Sequence, residues 1–286
     1  MKFVAIDWGT SSFRAWLIEH DQISDYLQTD QGVKNFASGS HSAYLTEVLG
    51  KWQGQYENII AIGMIGSSIG LYETDFSPLP VDIHEVSNSL VKVPNFEPDL
   101  YIVPGVSKVG DVMRGEESQS LASGLENGLV ILPGTHSKWV EIKCGKITDF
   151  RTYLTGELFE ILRNHSTLSK ATDSSSKLVA SGDFVEGLNA QSSDLTHDLF
   201  AIRASWLQGK TEDASREYLS GLLIGAEIKS AKSWCMASEA RIVASDSLAE
   251  IYIFALSHFG IKATVENSGQ LINYFVALAK KVESKS

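Results

Sequence analysis

Phe3-Val4-Ala5-Ile6-Asp7-Trp8-Gly9-Thr10-Ser11-Ser12-Phe13-Arg14-Ala15-Trp16-Leu17-Ile18 opens the chain as two apolar and aromatic runs broken by a Gly-Thr-Ser-Ser turn. Runs of this composition bounded by Gly, Ser and Asp read as strands. Residues 3–6 and 13–18 therefore form a hairpin, and residues 23–28 add a third strand. A tip made of Gly9, Thr10, Ser11 and Ser12 offers consecutive backbone N–H groups and hydroxyls, a nest suited to phosphate oxygens. Asp7 stands just before it, at the end of a buried strand, where its carboxylate can hold a Mg²⁺ that keeps several waters. The competing account is a plain hairpin turn with Asp7 as a turn acceptor.

The opening recurs. Ile131-Leu132-Pro133-Gly134-Thr135-His136-Ser137 shares Ile, Gly, Thr and Ser with residues 6–12 at one spacing, flanked by strand-like runs at 129–132, 138–142 and 147–152. Two copies imply two domains, each beginning strand, Gly-Thr-x-Ser turn, strand, strand. Two such tips facing each other across a cleft would hold the β- and γ-phosphates of a nucleotide. Gly134, Thr135, His136 and Ser137 thereby join the phosphate candidates, with His136 open to a plain turn role. Lys138 either reaches phosphate oxygens or is an exposed hairpin lysine. Trp8, Trp16 and Trp139 flank the hairpins and read as core.

Elsewhere the patterning predicts a helix over 42–52, a buried strand over 59–62 and a helix over 115–125. Residues 72–104, with five of the six prolines, read as irregular connection and edge strand. Past residue 152, helices are expected at 156–164, 182–188, 195–205, 213–232, 247–258 and 269–282, with short strands at 240–244 and 262–265. Strands interleaved with helices argue α/β. A chain of 286 residues is long enough for two domains. A net charge of −11, with no basic run, lacks the footprint needed for nucleic acid or an anionic membrane surface. Cys144 and Cys235 stand far apart without a C-x-x-C, so neither a disulfide framework nor a zinc cluster is expected, and the chain reads as cytoplasmic. No apolar stretch approaches the roughly 20 residues of a membrane span. Neither G-x-x-x-x-G-K-[ST] nor a G-x-G-x-x-G after the first strand is present, so a phosphate site must be of another kind.

Residues 6–16 are similar to the first phosphate motif of the sugar kinase, actin and heat-shock ATPase superfamily. The segments Ile62-Gly63-Met64-Ile65-Gly66-Ser67, Asp111-Val112-Met113-Arg114-Gly115-Glu116-Glu117, Leu132-Pro133-Gly134-Thr135-His136-Ser137-Lys138-Trp139-Val140, Leu154-Thr155-Gly156-Glu157-Leu158 and Leu219-Ser220-Gly221-Leu222-Leu223-Ile224-Gly225-Ala226-Glu227 resemble the 2-dehydro-3-deoxygalactonokinase family from end to end. The resemblance implies two duplicated ribonuclease H-like (actin-like ATPase) domains with an interdomain cleft. Residues 1–113 would bind the sugar, 114–268 the nucleotide, and 269–286 would form a C-terminal helix returning to the first domain.

It also implies transfer of the ATP γ-phosphate, with Mg²⁺, to the terminal (6-) hydroxyl of 2-dehydro-3-deoxy-D-galactonate in galactonate catabolism. Such a transfer is mostly positioning and charge stabilisation, with a carboxylate accepting the hydroxyl proton. In related sugar kinases that base follows a glycine at the start of the helix preceding the second phosphate strand. Gly115-Glu116 occupies this place, which implies Glu116 as base with Asp111 and Glu117 behind it; acids in a first turn also simply complement the helix dipole. The sugar carboxylate calls for an arginine fork, and Arg14, Arg114 and Arg151 each adjoin a motif. By the same resemblance the loop with Met64, Gly66 and Ser67 faces the sugar, whereas small residues in 221–227 read as helix packing.

One departure stands out. The family carries Gly-Thr-Ser-Leu where adenine lies, and this chain has Ser245-Asp246-Ser247-Leu248. A Cβ and a carboxylate there would narrow the pocket, or Asp246 would serve as N-cap of the next helix. Rival readings are a kinase for another sugar or sugar acid, a phosphohydrolase of the same superfamily, and a catalytically silent sugar or nucleotide sensor. A homodimer is left open.

Overall fold

The computed structural model describes residues 1–190, 194–235, 237–266 and 269–284. They divide into two compact units, the first made of residues 1–127, 142–149 and 267–286, the second of 128–141 and 150–266.

The first unit is laid down by β1 (Lys2–Trp8), β2 (Phe13–Glu19), β3 (Gln22–Thr29), α1 (His41–Val48), β4 (Asn58–Gly63), β5 (Ser77–Pro78), α2 (Ile83–Ser89), β6 (Val91–Lys92), β7 (Asp99–Ile102), β8 (Val106–Lys108), β9 (Asp111–Met113) and α3 (Glu116–Ala122). Its main sheet has the order β3-β2-β1-β4-β7-β6, and a small one the order β5-β8-β9. β1 and β4 pair in parallel at the centre. Their near-continuous apolar runs suit strands covered on both faces. The β1–β2 register sets Asp7 opposite Arg14, and the β1–β4 register sets Trp8 opposite Gly63. Trp8 is fully buried, edge-on to Phe13 at 5.2 Å and to Phe36 at 5.7 Å between centroids. This arrangement suits the ring quadrupoles.

Residues 72–104 are more regular than the proline content suggests. α2 starts in a capping box, with Asp82 Oδ1 accepting the N–H groups of His84 and Glu85 at 2.9 Å each and Glu85 accepting that of Asp82 at 2.7 Å. β7 is not an edge strand, because it lies between β4 and β6. Further differences are short: α1 stops at Val48 before a 3₁₀ turn Gly50–Trp52, α3 stops at Ala122, and the β8–β9 hairpin was not expected from the patterning.

The second unit carries β10 (Asn127–Leu132), β11 (Ser137–Lys143), β12 (Lys146–Tyr153), α4 (Thr155–His165), α5 (Gly182–Asn189), α6 (Leu195–Leu207), α7 (Glu212–Trp234), β13 (Glu239–Ile242), α8 (Asp246–His258) and β14 (Lys262–Val265), with sheet order β12-β11-β10-β13-β14. The far ends of β11 and β12 group with the first unit. α5 crosses α7 at backbone contact, since a Cβ on Gly221 would stand 2.0 Å from the Phe184 carbonyl oxygen and one on Gly225 2.7 Å from that of Leu188.

The last helix, α9 (Gly269–Glu283), groups with the first unit. Phe275 lies 6.2 Å from Trp16 between centroids, and the Ser118 hydroxyl of α3 and the Tyr274 hydroxyl are hydrogen-bonded at 3.2 Å. Because α3 packs on α9, the units divide at 127/128 rather than at the expected 113/114. Ser268, on the other expected boundary, lies outside the described residues. No helix among the described residues is long and apolar enough to cross a membrane.

Candidate functional site

On the first unit the predicted residues converge around Gly63. Asp7 is 7% exposed, and one carboxylate oxygen, Oδ2, takes an ion pair from Arg14. Gly63 adopts φ 89°, and a Cβ there would stand 2.7 Å from the Trp8 carbonyl oxygen and 3.4 Å from Asp7 Oδ1. Only glycine meets both demands. On the opposite side, a Cβ on Gly115, at φ 106°, would come within 3.1 Å of the Gly63 Cα. The chain from Met113 to Glu116 thus closes against the loop after β4. The first tip is ordered locally, with the Gly9 N–H donating to the Ser12 carbonyl at 2.9 Å while Thr10 and Ser11 stay exposed. Gly32 backs it, since a Cβ there would overlap the Thr10 carbonyl oxygen at 2.1 Å.

Arg114 is the arginine built into this site. Its Nη1 and Nη2 donate to the Thr74 hydroxyl and carbonyl at 2.6 and 2.9 Å, and the guanidinium lies 4.3 Å from the Phe76 ring centroid. Burial lowers its pKa from the ordinary arginine value. Nη1 would stand 3.0 Å from a Cβ on Gly66, so the sugar-loop glycine and the arginine adjoin. Met64 is half-buried, and Ser67 donates to the Met64 carbonyl at 2.7 Å. Arg14 is engaged by Asp7, and Arg151 belongs to the second unit, 5.1 Å over Trp234.

The three candidate carboxylates differ. Glu117 has no exposed surface, accepts from the Gly115 N–H at 2.7 Å and from the Ser118 hydroxyl at 3.0 Å, and cannot meet a substrate hydroxyl. Burial, with the charge of Glu116 adding to it, pushes its pKa from 4.5 up to about 8. Asp111 sits on β9, accepting the N–H of Val112 at 2.9 Å. Glu116 is partly exposed at the start of α3, its Oε2 accepting the Arg114 N–H at 3.0 Å.

On the second unit, Gly134, Thr135 and His136 form the tip before β11. It is braced by α4, with the Glu157 N–H donating to the Thr135 carbonyl at 2.9 Å and the His136 ring 2.6 Å from the Glu157 carboxylate. A Cβ on Gly156 would stand 2.3 Å from the Gly134 carbonyl oxygen. Ser137 and Lys138 are buried rather than exposed, the Lys138 ammonium donating to the Thr152 hydroxyl at 2.7 Å. The tip opens onto a cavity of about 340 Å³ lined by Gly134, Thr135, Thr155 and Gly156 on one side and by Phe159, Leu178, Leu223, Ile224, Leu248 and Tyr252 among the others. The lining is mostly apolar, with the backbone of the tip, Thr155, Ser220 and the acid Glu160 as its polar members, a mixture that suits a ligand with a flat apolar part and a polar one.

Ser245 and Asp246 do not line this cavity; α8 contributes Leu248 instead, so they do not narrow it. The N-cap of α8 is Ser245, and Asp246 is its exposed first residue. Behind the tip lies Glu227, 3% exposed, its pKa raised by burial against the opposing pull of four hydrogen bonds from Thr155, Trp139, Ser137 and Tyr252. The sequence marked 221–227 for packing and missed this carboxylate, and Leu178 and Tyr252 lay in no motif.

The chain matches the family model described as 2-keto-3-deoxy-galactonokinase over residues 7–274. It is 33% identical over 274 residues to the 2-dehydro-3-deoxygalactonokinase of Escherichia coli (strain K12), covering 92% of each chain. A crystal structure of a Sinorhizobium meliloti protein provisionally named for the same activity matches with a TM-score of 0.87 at 29% identity, over 99% of this chain and 96% of that one. The activator of 2-hydroxyisocaproyl-CoA dehydratase from Clostridium difficile, with bound ADPNP, shares the fold, at a TM-score of 0.54 and 12% identity over 100% of this chain and 97% of that one.

Proposed function

The chain belongs to the 2-keto-3-deoxy-galactonokinase family, and from that premise we propose that it transfers the γ-phosphoryl group of ATP to the 6-hydroxyl of 2-dehydro-3-deoxy-D-galactonate, in the cytoplasm. Beyond the family, the reading is carried by the second unit's tip, whose Gly134 and Thr135 rim an apolar cavity of about 340 Å³. That volume lies within the range of about 300–1,000 Å³ for small-ligand sites. Triphosphate at the tip and adenine against Leu178, Leu223 and Leu248 use both of its chemistries.

The sugar acid is assigned to the first unit. Arg114, fixed by Thr74 and Phe76, presents its guanidinium beside Gly66 to the substrate carboxylate. Glu116 accepts the proton of the attacking hydroxyl, with Asp111 as the alternative. The donor set suits Mg²⁺, which is ordinarily held by one or two carboxylates together with phosphates and waters. Asp7 is the carboxylate that would hold it, Arg14 offsetting its charge. When bound, the ion would supply charge neutralisation to the transferring phosphates. The strand order shared by the two larger sheets, third-second-first-fourth followed by one further parallel strand, together with the recurrent Gly-Thr-x-Ser tip, supports a duplicated ribonuclease H-like unit.

Coupled ADP-release measurements with 2-dehydro-3-deoxygalactonate, its gluco epimer and plain hexoses test the assignment. Turnover is expected with the 2-keto-3-deoxy acids. Turnover of hexoses in their place would sink it.

A further inference from the structure

Glu227 stands on α7 and receives hydrogen bonds from three other parts of the second unit. Its Oε1 accepts from the Ser137 hydroxyl at 2.7 Å and from the Trp139 indole N–H at 2.8 Å, both on β11. Its Oε2 accepts from the Thr155 hydroxyl at the start of α4 and from the Tyr252 hydroxyl of α8 at 2.9 Å. Four donors fill the acceptor sites of an ionised carboxylate. All four donor residues are themselves buried, and among the described residues no cation forms an ion pair with it.

The division between the two oxygens matters. Ser137 directly follows the tip, so Oε1 fixes the strand from which the tip springs. Thr155 and Tyr252 both line the cavity, so Oε2 fixes its wall. Thr155 also precedes Gly156, whose missing side chain lets the Gly134 carbonyl approach. One carboxylate therefore sets the phosphate-binding backbone and the base-binding wall in a single geometry.

We propose that Glu227 is the positioning residue of the nucleotide site, holding the tip at 134–136 in register with the cavity so that phosphate and base are gripped together. This rests on the reading of the second unit as the nucleotide unit. Glu227 touches no substrate atom; it acts through Ser137, Thr155 and Tyr252. Its loss weakens nucleotide binding and leaves sugar-acid binding as it was.

The experiment compares wild type with Glu227→Gln, Thr155→Val, Thr155→Ser and Tyr252→Phe, using calorimetry with Mg·ATP and steady-state kinetics in both substrates. Leaving a buried hydrogen-bonding group without its partner is costly enough that Glu227→Gln and Thr155→Val should each raise the Kd and KM for ATP roughly tenfold or more. The KM for the sugar acid should stay within about twofold, and Thr155→Ser, which keeps the hydroxyl, should return ATP binding to about threefold of wild type or better. If Glu227→Gln fails to fold, the Thr155 pair and Tyr252→Phe carry the same comparison. ATP binding unchanged in Thr155→Val and Tyr252→Phe, or both KM values rising together, overturns the inference while leaving the kinase reading intact. Wild type that binds no Mg·ATP overturns the nucleotide reading and the inference with it.

Discussion

Glu117→Gln is expected to stabilise the protein by an amount that grows with pH. The carboxyl is fully buried, accepts from the Gly115 N–H at 2.7 Å and meets the Ser118 hydroxyl at 3.0 Å. Burial raises its pKa from 4.5 to about 8. Between those values the folded chain keeps a proton that the unfolded chain has lost. Unfolding then releases a proton, and stability falls by about 1.4 kcal/mol for each pH unit across the window. The contribution is fully present below the unfolded pKa and is lost as pH rises through the folded one. Over the whole rise from 4.5 to about 8 the loss reaches about 5 kcal/mol. Glutamine stays neutral, can accept from Gly115 and can donate to Ser118, so it makes the same contacts without the titration. The advantage of the variant should be near zero at pH 4, about 3 kcal/mol at pH 7 and about 5 kcal/mol above pH 9. Urea unfolding followed by tryptophan fluorescence at each pH measures it. Parallel stability curves for the two proteins, or a variant weaker at every pH, would refute the argument.

Three further substitutions probe the chemistry. Glu116→Gln should lower kcat by roughly two orders of magnitude or more while sparing ATP binding; near wild-type turnover would hand the proton to Asp111. Arg114→Lys loses the planar fork and the stack on Phe76, so the KM for the sugar acid should rise about tenfold or more with the KM for ATP unmoved, and equal changes in both would contradict the assignment. Gly156→Ala puts a methyl 2.3 Å from the Gly134 carbonyl oxygen. At an overpacking cost of about 1–3 kcal/mol it should displace the second tip, and calorimetry with Mg·ATP should show about tenfold weaker binding; undisturbed binding would mean that the tip takes no part.

The three-strand opening of each unit was legible because its signal is local: apolar runs, a glycine turn and a strand period all lie within thirty or so residues. The residues at 72–104 misled because proline density was weighed above the Asp82-x-x-Glu85 box, a helix signal that needs only four residues to read. Gly63 reads as a loop residue and Gly115 as the start of a helix, but the reason each must be glycine is a backbone distant in sequence, that of Trp8 for Gly63 and that of Gly63 for Gly115, which sequence spacing does not reveal. Glu227 was harder still. Its partners Ser137, Trp139 and Thr155 stand 90, 88 and 72 positions away, and 221–227 reads as helix packing with nothing in it to single out the acid. Lys138, open in sequence to a phosphate role or to an exposed hairpin position, is buried and folds inward to Thr152.

The return of α9 to the first unit sets an order of assembly. The unit that the ribosome makes first is finished last. Its α3 carries Ser118, which bonds to Tyr274, and its β2 carries Trp16, which meets Phe275. Until residues 269–283 have left the ribosome, the nascent chain exposes the apolar face that α9 covers, while residues 128–141 and 150–266 already possess every segment of their own unit. The second unit can therefore become compact during synthesis before the first, which must wait for α9. Removing residues 269–283 would strip the N-terminal unit, not the C-terminal one, of the partners of Trp16 and Ser118.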